Sequence, residues 1–393
     1  MFGSRPVTFV SAMVIAGDGR IYRSLRVRRG VVDGIGAPPR RGDRIIEVDE
    51  GIVMPGLINA HDHLELNSFP RLKWRARYAN VREWIADFQP RFSTDPALAL
   101  ARPDTLVDRV WVGGLKNLLS GVTTVCHHNP IHAPLKRRFP VRVMRRVGIG
   151  HSLQVDGLRL AQSCRRTPAD WPWIVHAAEG VDAEARDEIE RLHALGCLGD
   201  NTVLVHGVAM DAGAAQQVLS AGASLVWCPT SNDFLFGRTA DVTPFSQKRR
   251  VALGTDSRLS GEGDLLDELR AAVQTRQLSA EALVRTVTSS GASLLRLPDA
   301  GTLAVGKPAD LVVLRRRAGD PFDSVVAATR DDVRLTMVGG VPLVGGPEMQ
   351  PVFAACGQRF ATVKVNGAER LLTSWIARQV ARMTLGEPGL EVC

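Results

Sequence analysis

Lysine is scarce in this chain: six of 393 residues, within a combined Lys and Arg count of 49. Arginine therefore carries nearly all the positive charge, and against 41 acidic residues it leaves a net +8, enough to make anionic partners worth testing. Aromatic residues amount to 5%, with only two tyrosines, too few for the base-stacking platforms of single-strand nucleic-acid binders. The arginine runs at 71–77, 136–146, 249–250 and 315–317 are dispersed, so solvated faces are expected and no nucleic-acid groove. Cysteine is sparse as well. Cys126, Cys164, Cys197, Cys228, Cys356 and Cys393 form no C-x-x-C pair, which excludes a disulfide framework in so long a chain and points to reduced thiols in the cytoplasm. No run approaches the roughly 20 apolar residues of a membrane span. Residues 7–16 are apolar, but only Arg5 precedes them and the turn Gly17-Asp18-Gly19 follows, so a strand is expected there and not a secretion signal.

What is present is a core-forming composition, 45% hydrophobic and 23% charged. Residues 7–53 alternate strand-like runs with Gly and Pro turns. From about 51 to 298, short apolar runs alternate with helical stretches such as 183–195 and 264–272, the rhythm of βαβ units. After Gly301 the strand rhythm returns at 309–314 and 333–338. The expected architecture is α/β: a (β/α)8 barrel over 54–300, a small β-sandwich assembled from 1–53 and 301–348, and an extension, 349–393, carrying an amphipathic helix at 369–383.

The chemistry sits where apolar runs end. Ile52 to Ala60 closes on His61-Asp62-His63. Alternate strand residues share a face, so both imidazoles can reach one metal ion, although two packing histidines would fit the same residues. Trp173-Ile174-Val175 leads into His176, with Glu179 three residues on; Thr202 to Val205 leads into His206; Val251 to Thr255 leads into Asp256. In a βα barrel the carboxyl ends of the strands converge at one mouth. Three histidines and an aspartate there can fill the protein positions of a metal site and leave one for water.

The order of these pieces resembles the amidohydrolase superfamily of metal-dependent hydrolases. The marks are Pro55-Gly56-Leu57-Ile58-Asn59-Ala60-His61 with His63, then Gly121-Val122-Thr123-Thr124-Val125, and His176 with Glu179. They continue with His206, Cys228-Pro229 with Ser231-Asn232, Gly254-Thr255-Asp256, and Gly306-Lys307-Pro308-Ala309-Asp310-Leu311. The resemblance spans residues 5 to about 345. It implies a split barrel with a composite β-sandwich and the mononuclear deaminase-type branch, related to cytosine, guanine and S-adenosylhomocysteine deaminases and to chlorohydrolases. Carried over, it implies that His61, His63, His176 and Asp256 hold one Zn2+ or Fe2+, with Glu179 and His206 facing the water and the substrate. The two-metal branch needs a carboxylated lysine on its fourth strand, and Lys136 sits in a basic run with no strand end beside it.

In such a site Asp256 can accept the proton released as metal-activated water attacks, Glu179 can protonate the ring nitrogen or leaving group, and His206 can polarise the attacked carbon's substituent. His127, His128, Asn232 and Arg258 lie on mouth loops and are candidate substrate contacts, with loop capping or a salt bridge as their structural alternative. His132, His151 and His193 are expected to be structural or exposed. Trp74, Tyr78 and Trp84 belong to a long insertion that could roof the site. Between Val122 and His176 only 54 positions accommodate three βα units, where a standard unit takes about 25 to 30. One unit should therefore be abbreviated, with a strand over 148–155 and a very short connection to Trp173. The expected function is hydrolytic deamination of an aminated nitrogen heterocycle, a small-molecule substrate; the alternative is hydrolysis of a cyclic amide or another C–N or C–halogen bond. Neither nucleic acid nor membrane is expected as a partner, and a homodimer is compatible with the sequence.

Overall fold

Two parallel sheets carry the centre of the molecule, and the strands are short because both faces are buried, which selects near-continuous apolar runs. The computed structural model describes residues 5–17, 19–100, 102–157, 159–317 and 319–392; Asp18, of the expected turn, and Cys393 lie outside them. The first sheet joins β1 (Leu57–Asp62), β2 (Val122–His127) and β3 (Arg142–Val143). The second joins β4 (Gly148–Ile149), β5 (Trp173–Ala177), β6 (Thr202–His206), β7 (Ser224–Trp227) and β8 (Val251–Leu253) in order β8-β7-β6-β5-β4.

Side chains alternate between two cores, as the period of two requires. Ile58, Ile174, Val203, Val205, Val226 and Ala252 meet on one side. Val175, Leu204, Leu225 and Leu253 face the other, against helix residues such as Ile189, Val218 and Leu269. At the seam between β8 and β1, the backbone N–H groups of Thr255 and Asp256 donate to the carbonyl of His61, at 3.0 and 3.1 Å. Gly254 permits this approach: a Cβ there would lie 2.7 Å from His61 Cβ.

The abbreviated unit falls at β3 and β4, each two residues long, with only 144–147 between them. Four residues cannot hold a helical crossover, which takes at least about ten. The expected very short connection to Trp173 is corrected: that link carries helices Leu153–Asp156 and Arg159–Arg166, and the strand at 148–155 shrinks to two residues.

Both chain ends contribute to one eleven-stranded sheet, in which Val7–Ile15 and Gly51–Pro55 neighbour Leu311–Arg315 and Val333–Val338. Phe9, Leu25, Val53, Val313, Leu335 and Phe353 share its core. The helix expected at 369–383 is half strand. Ala368–Thr373 pairs with Phe360–Val365 and Val341–Gly345, and the helix is confined to Ser374–Val380. The five described cysteines are free. No described helix is long and apolar enough to cross a membrane.

Candidate metal centre

The strand ends bring His61, His63, His176, His206, Glu179 and Asp256 together, and the backbone breaks its regular alternation to do so. On β1, Ile58 and Ala60 face the inner core, so strict alternation would send His61 outward. The β1–β2 register slips between Asn59 and Asp62, and His61 turns inward with His63. Asp62 then points the opposite way, where it pairs at 3.0 Å with the fully buried Lys116 of α2 (Leu106–Leu119) and accepts from the side chains of Asn67 and Asn117. His206 (φ 76°) and Asp256 (φ 50°) both adopt the left-handed backbone region, strain that positions side chains at sites of this kind.

Three imidazole nitrogens and a carboxylate converge. His61 Nε2 lies 3.2 Å from His176 Nε2 and 3.7 Å from Asp256 Oδ1, and His63 Nε2 lies 3.5 Å from the same oxygen. The far nitrogens decide the tautomers. His176 Nδ1 donates to the His151 carbonyl at 2.9 Å, so its Nε2 carries a lone pair. His128 Nε2 donates to the Gly150 carbonyl at 3.0 Å, which leaves its Nδ1 to accept from His61 Nδ1 at 3.2 Å. His61 Nε2 is then also unprotonated, and two lone pairs oppose each other across 3.2 Å. A divalent cation relieves that repulsion, so this donor set fits a metal. His61, His63, His128 and His176 form the cluster able to hold an ion among the described residues, but both nitrogens of His128 are engaged behind His61.

Burial sets the protonation states. It pushes His61 down to about 4 and holds His176, with His128 beside it, well below the usual imidazole range. Burial works to raise Asp256, but the imidazoles of His61, His63 and His206 around it outweigh burial and keep the carboxyl well below its ordinary value. Ser231 and Ser260 hydroxyls both donate to Asp256 Oδ2 at 2.8 Å, leaving Oδ1 for the histidines. Glu179 moves the other way, raised well above the carboxylate range by burial and then by Asp256 and Glu188. Its carboxyl stands 3.5 Å from His206 Nε2, whose ring is fixed by donation from Nδ1 to Asn232 Oδ1 at 2.9 Å.

These groups open on a cavity of about 330 Å3. Its roof is α1 (Val81–Phe88), which presents Val81, Trp84, Ile85 and Phe88. Of the aromatic residues expected to roof the site, Trp84 lines the cavity, whereas Tyr78 is buried in a neighbouring cluster, its hydroxyl accepting from the Trp74 backbone. None of the four candidate substrate contacts lines the cavity. His127 accepts from Leu64 N, His128 and Asn232 stand behind His61 and His206, and Arg258 forms a bidentate pair with Glu387 at 2.7 and 2.9 Å. For His128, Asn232 and Arg258 the reason is the same, that a partner from elsewhere in the chain takes the polar atoms, whereas His127 has only Nδ1 engaged and its Nε2 stands 3.6 Å from Glu65, away from the cavity. His151, expected to be structural or exposed, does line the cavity, as do Asn129, Ser257 and Ser260. Its position at the end of β4 was the available signal, hidden by a strand of two residues.

Imidazoles with free lone pairs and two carboxyl groups pushed in opposite directions around one cavity are the equipment of a hydrolase. A family model described as "Amidohydrolase family" matches residues 157–343. A 5-methylthioadenosine/S-adenosylhomocysteine deaminase from Natronomonas pharaonis is 30% identical over 386 residues, covering 81% of this chain and 88% of that protein. Among solved structures, an adenosine deaminase from Xanthomonas campestris with bound zinc superposes with a TM-score of 0.70 at 19% identity, covering 86% of this chain and 92% of that one. An atrazine chlorohydrolase from Arthrobacter aurescens complexed with zinc reaches 0.71 at 19%, covering 89% and 99%; at that identity both likenesses concern the fold. The chain belongs to the amidohydrolase family. It is a metal-dependent hydrolase acting on carbon–nitrogen bonds other than peptide bonds.

Proposed function

We propose that the protein is a hydrolytic deaminase of an aminated nitrogen heterocycle, with His61, His63, His176 and Asp256 holding a single Zn2+ or Fe2+. The observation that carries the reading is the convergence of His61, His63, His176 and Asp256 within 3.2 to 3.7 Å at one end of a buried cavity, with Glu179 3.5 Å from His206 Nε2 beside them and the two carboxyl groups pushed in opposite directions by their surroundings. When bound, the cation supplies the nucleophile by acidifying a water molecule towards a pKa of about 7. Asp256 takes the proton lost as the water oxygen bonds to the amine-bearing carbon. Glu179 protonates the adjacent ring nitrogen, and His206, its Nδ1 tied to Asn232, keeps an Nε2 lone pair towards Glu179. The C–N bond then breaks as Asp256 passes its proton to the departing nitrogen and the new hydroxyl gives its proton to Glu179, so that ammonia leaves, a ring carbonyl remains and both carboxyl groups return to their starting states. The Natronomonas relative, named for methylthioadenosine and S-adenosylhomocysteine, puts 6-aminopurine nucleosides first among substrates to try.

The eight parallel strands are proposed to work as one (β/α)8 barrel over 54–300, and the sheet built from 1–53 and 301–348 as a β-sandwich beside it, with the 349–393 extension clamping the mouth through Glu387. The cell compartment proposed is the cytoplasm.

An ammonia-release screen of the zinc- and iron-loaded protein over purines, pterins and pyrimidines tests the reading. Ammonia from at least one ring class is expected, with about one metal equivalent per chain; a ring-opened product without ammonia, or two equivalents, overturns it.

A further inference from the structure

The cavity has two unlike ends. The metal-site end is polar, while the roof offers Val81, Trp84, Ile85 and Phe88, one face of α1 at the i, i+3, i+4, i+7 spacing, continued by Phe92. Although the chain has 49 Lys and Arg, no lysine or arginine is among the described residues lining this cavity. The arginines nearby are committed elsewhere. Arg71 donates to the carbonyls of Ser260 and Thr230, Arg109 to that of Glu65, and Arg258 pairs with Glu387.

We propose that the site selects an aminated heterocycle whose substituents are uncharged, and refuses congeners bearing a carboxylate or phosphate. This rests on the deaminase reading above and narrows its substrate class. An anion under the roof would lose its water without gaining a counter-charge from any side chain that lines it. Trp84 Nε1 is already spent on the Leu72 carbonyl at 2.9 Å, and the polar side chain that remains on the roof, Gln89, is a neutral amide that supplies no counter-charge. Nor is the roof free to swing away. Val81 N donates to the Glu179 carbonyl at 3.0 Å, Val181 N to the Ala79 carbonyl at 2.7 Å, and Asn80 caps α1 while its amide holds Asp182. Phe88 stacks on Trp84 with centroids 5.1 Å apart and meets Phe92 at 5.5 Å. At about 330 Å3 the space is at the small end for ligand pockets, enough for a ring system and a short side group.

Matched probes that differ only in charge test this on the metal-loaded enzyme: 9-butyladenine against 9-(3-carboxypropyl)adenine, and 1-butylcytosine against 1-(3-carboxypropyl)cytosine. For the ring that reacts, kcat/KM for the alkyl member should exceed that of the carboxylate by at least about 100-fold. Phe92→Arg, a change at an exposed position on the roof's edge, should raise the carboxylate's kcat/KM at least about 10-fold without altering metal content. Equal rates, or a preference for the carboxylate, overturn the proposal and leave deamination standing. Ammonia from none of the four probes, after a positive heterocycle screen, overturns the claim that this cavity takes rings with an uncharged substituent. Ammonia from neither the screen nor the probes removes the deaminase reading and this inference with it.

Discussion

The Nδ1 atoms of His61 and His128 face each other at 3.2 Å, and the other nitrogen of His128 is held at 3.0 Å by the carbonyl of Gly150. The chain of donors runs one way only, from His61 to His128 and from His128 to the backbone, so His61 can present only an unprotonated Nε2 to the centre. Outer-shell partners of this type fix ligand orientation and basicity.

Replacing His128 by Phe should therefore weaken zinc binding by about 10- to 100-fold, measured by chelator competition, while the saturating stoichiometry stays at the wild-type value. His128→Gln, which keeps an acceptor, should recover part of the loss. Unchanged affinity in His128→Phe would leave the relay without a role, and a lower stoichiometry would make His128 a ligand.

Glu179→Gln keeps the shape and a hydrogen-bond donor but cannot transfer a proton. Turnover should fall by about 10^2- to 10^4-fold with metal content unchanged. The raised pKa of Glu179 sets the sign of the pH dependence: the protonated form is the active one, so kcat/KM falls on the alkaline side as Glu179 ionises. Wild-type turnover in the variant would take Glu179 out of proton transfer.

Glu387 has no side-chain exposure and accepts from Arg258 and Arg330, tying the tail to the loop two residues past Asp256. Glu387→Gln leaves Arg258 without a carboxylate partner and Arg330 with Asp264 alone, and should cost about 3 to 5 kcal/mol in urea unfolding. A loss below 1 kcal/mol would mean the clamp contributes little.

Glu268 is fully buried against Thr230, and burial pushes its pKa up to about 8 from 4.5. The folded state binds this proton more tightly than the unfolded chain. Its contribution to stability is thus complete below pH 4.5 and is lost as pH rises through about 8. Glu268→Gln, which cannot ionise, should lose less stability than the wild type between pH 5 and pH 9 in parallel denaturant titrations; identical slopes would contradict the shift.

Local patterns were enough to locate His61, His63, His176, His206 and Asp256, because each ends an apolar strand and strand ends are written in consecutive residues. The compressed segment was legible from chain length alone, since 54 positions cannot hold three full units. Its location was not, because β3 and β4 are two residues each and leave almost no periodic signal. Residues 369–373 read as helix, yet they lie in a sheet. Their hydrogen-bond partners at 360–365 and 341–345 outweigh local propensity.

By itself the sequence determined which residue types could do the chemistry and on which strand ends they stand. Only the tertiary structure decided what each faces. Position alone makes His128, Asn232 and Arg258 candidates either for substrate contact or for a structural partner, and their polar atoms are satisfied by Gly150 and His61, by His206, and by Glu387, a residue 129 positions away. A buried polar group is spent on whichever partner the fold brings within about 3 Å, and that choice depends on strand pairing between distant segments, which no local pattern encodes.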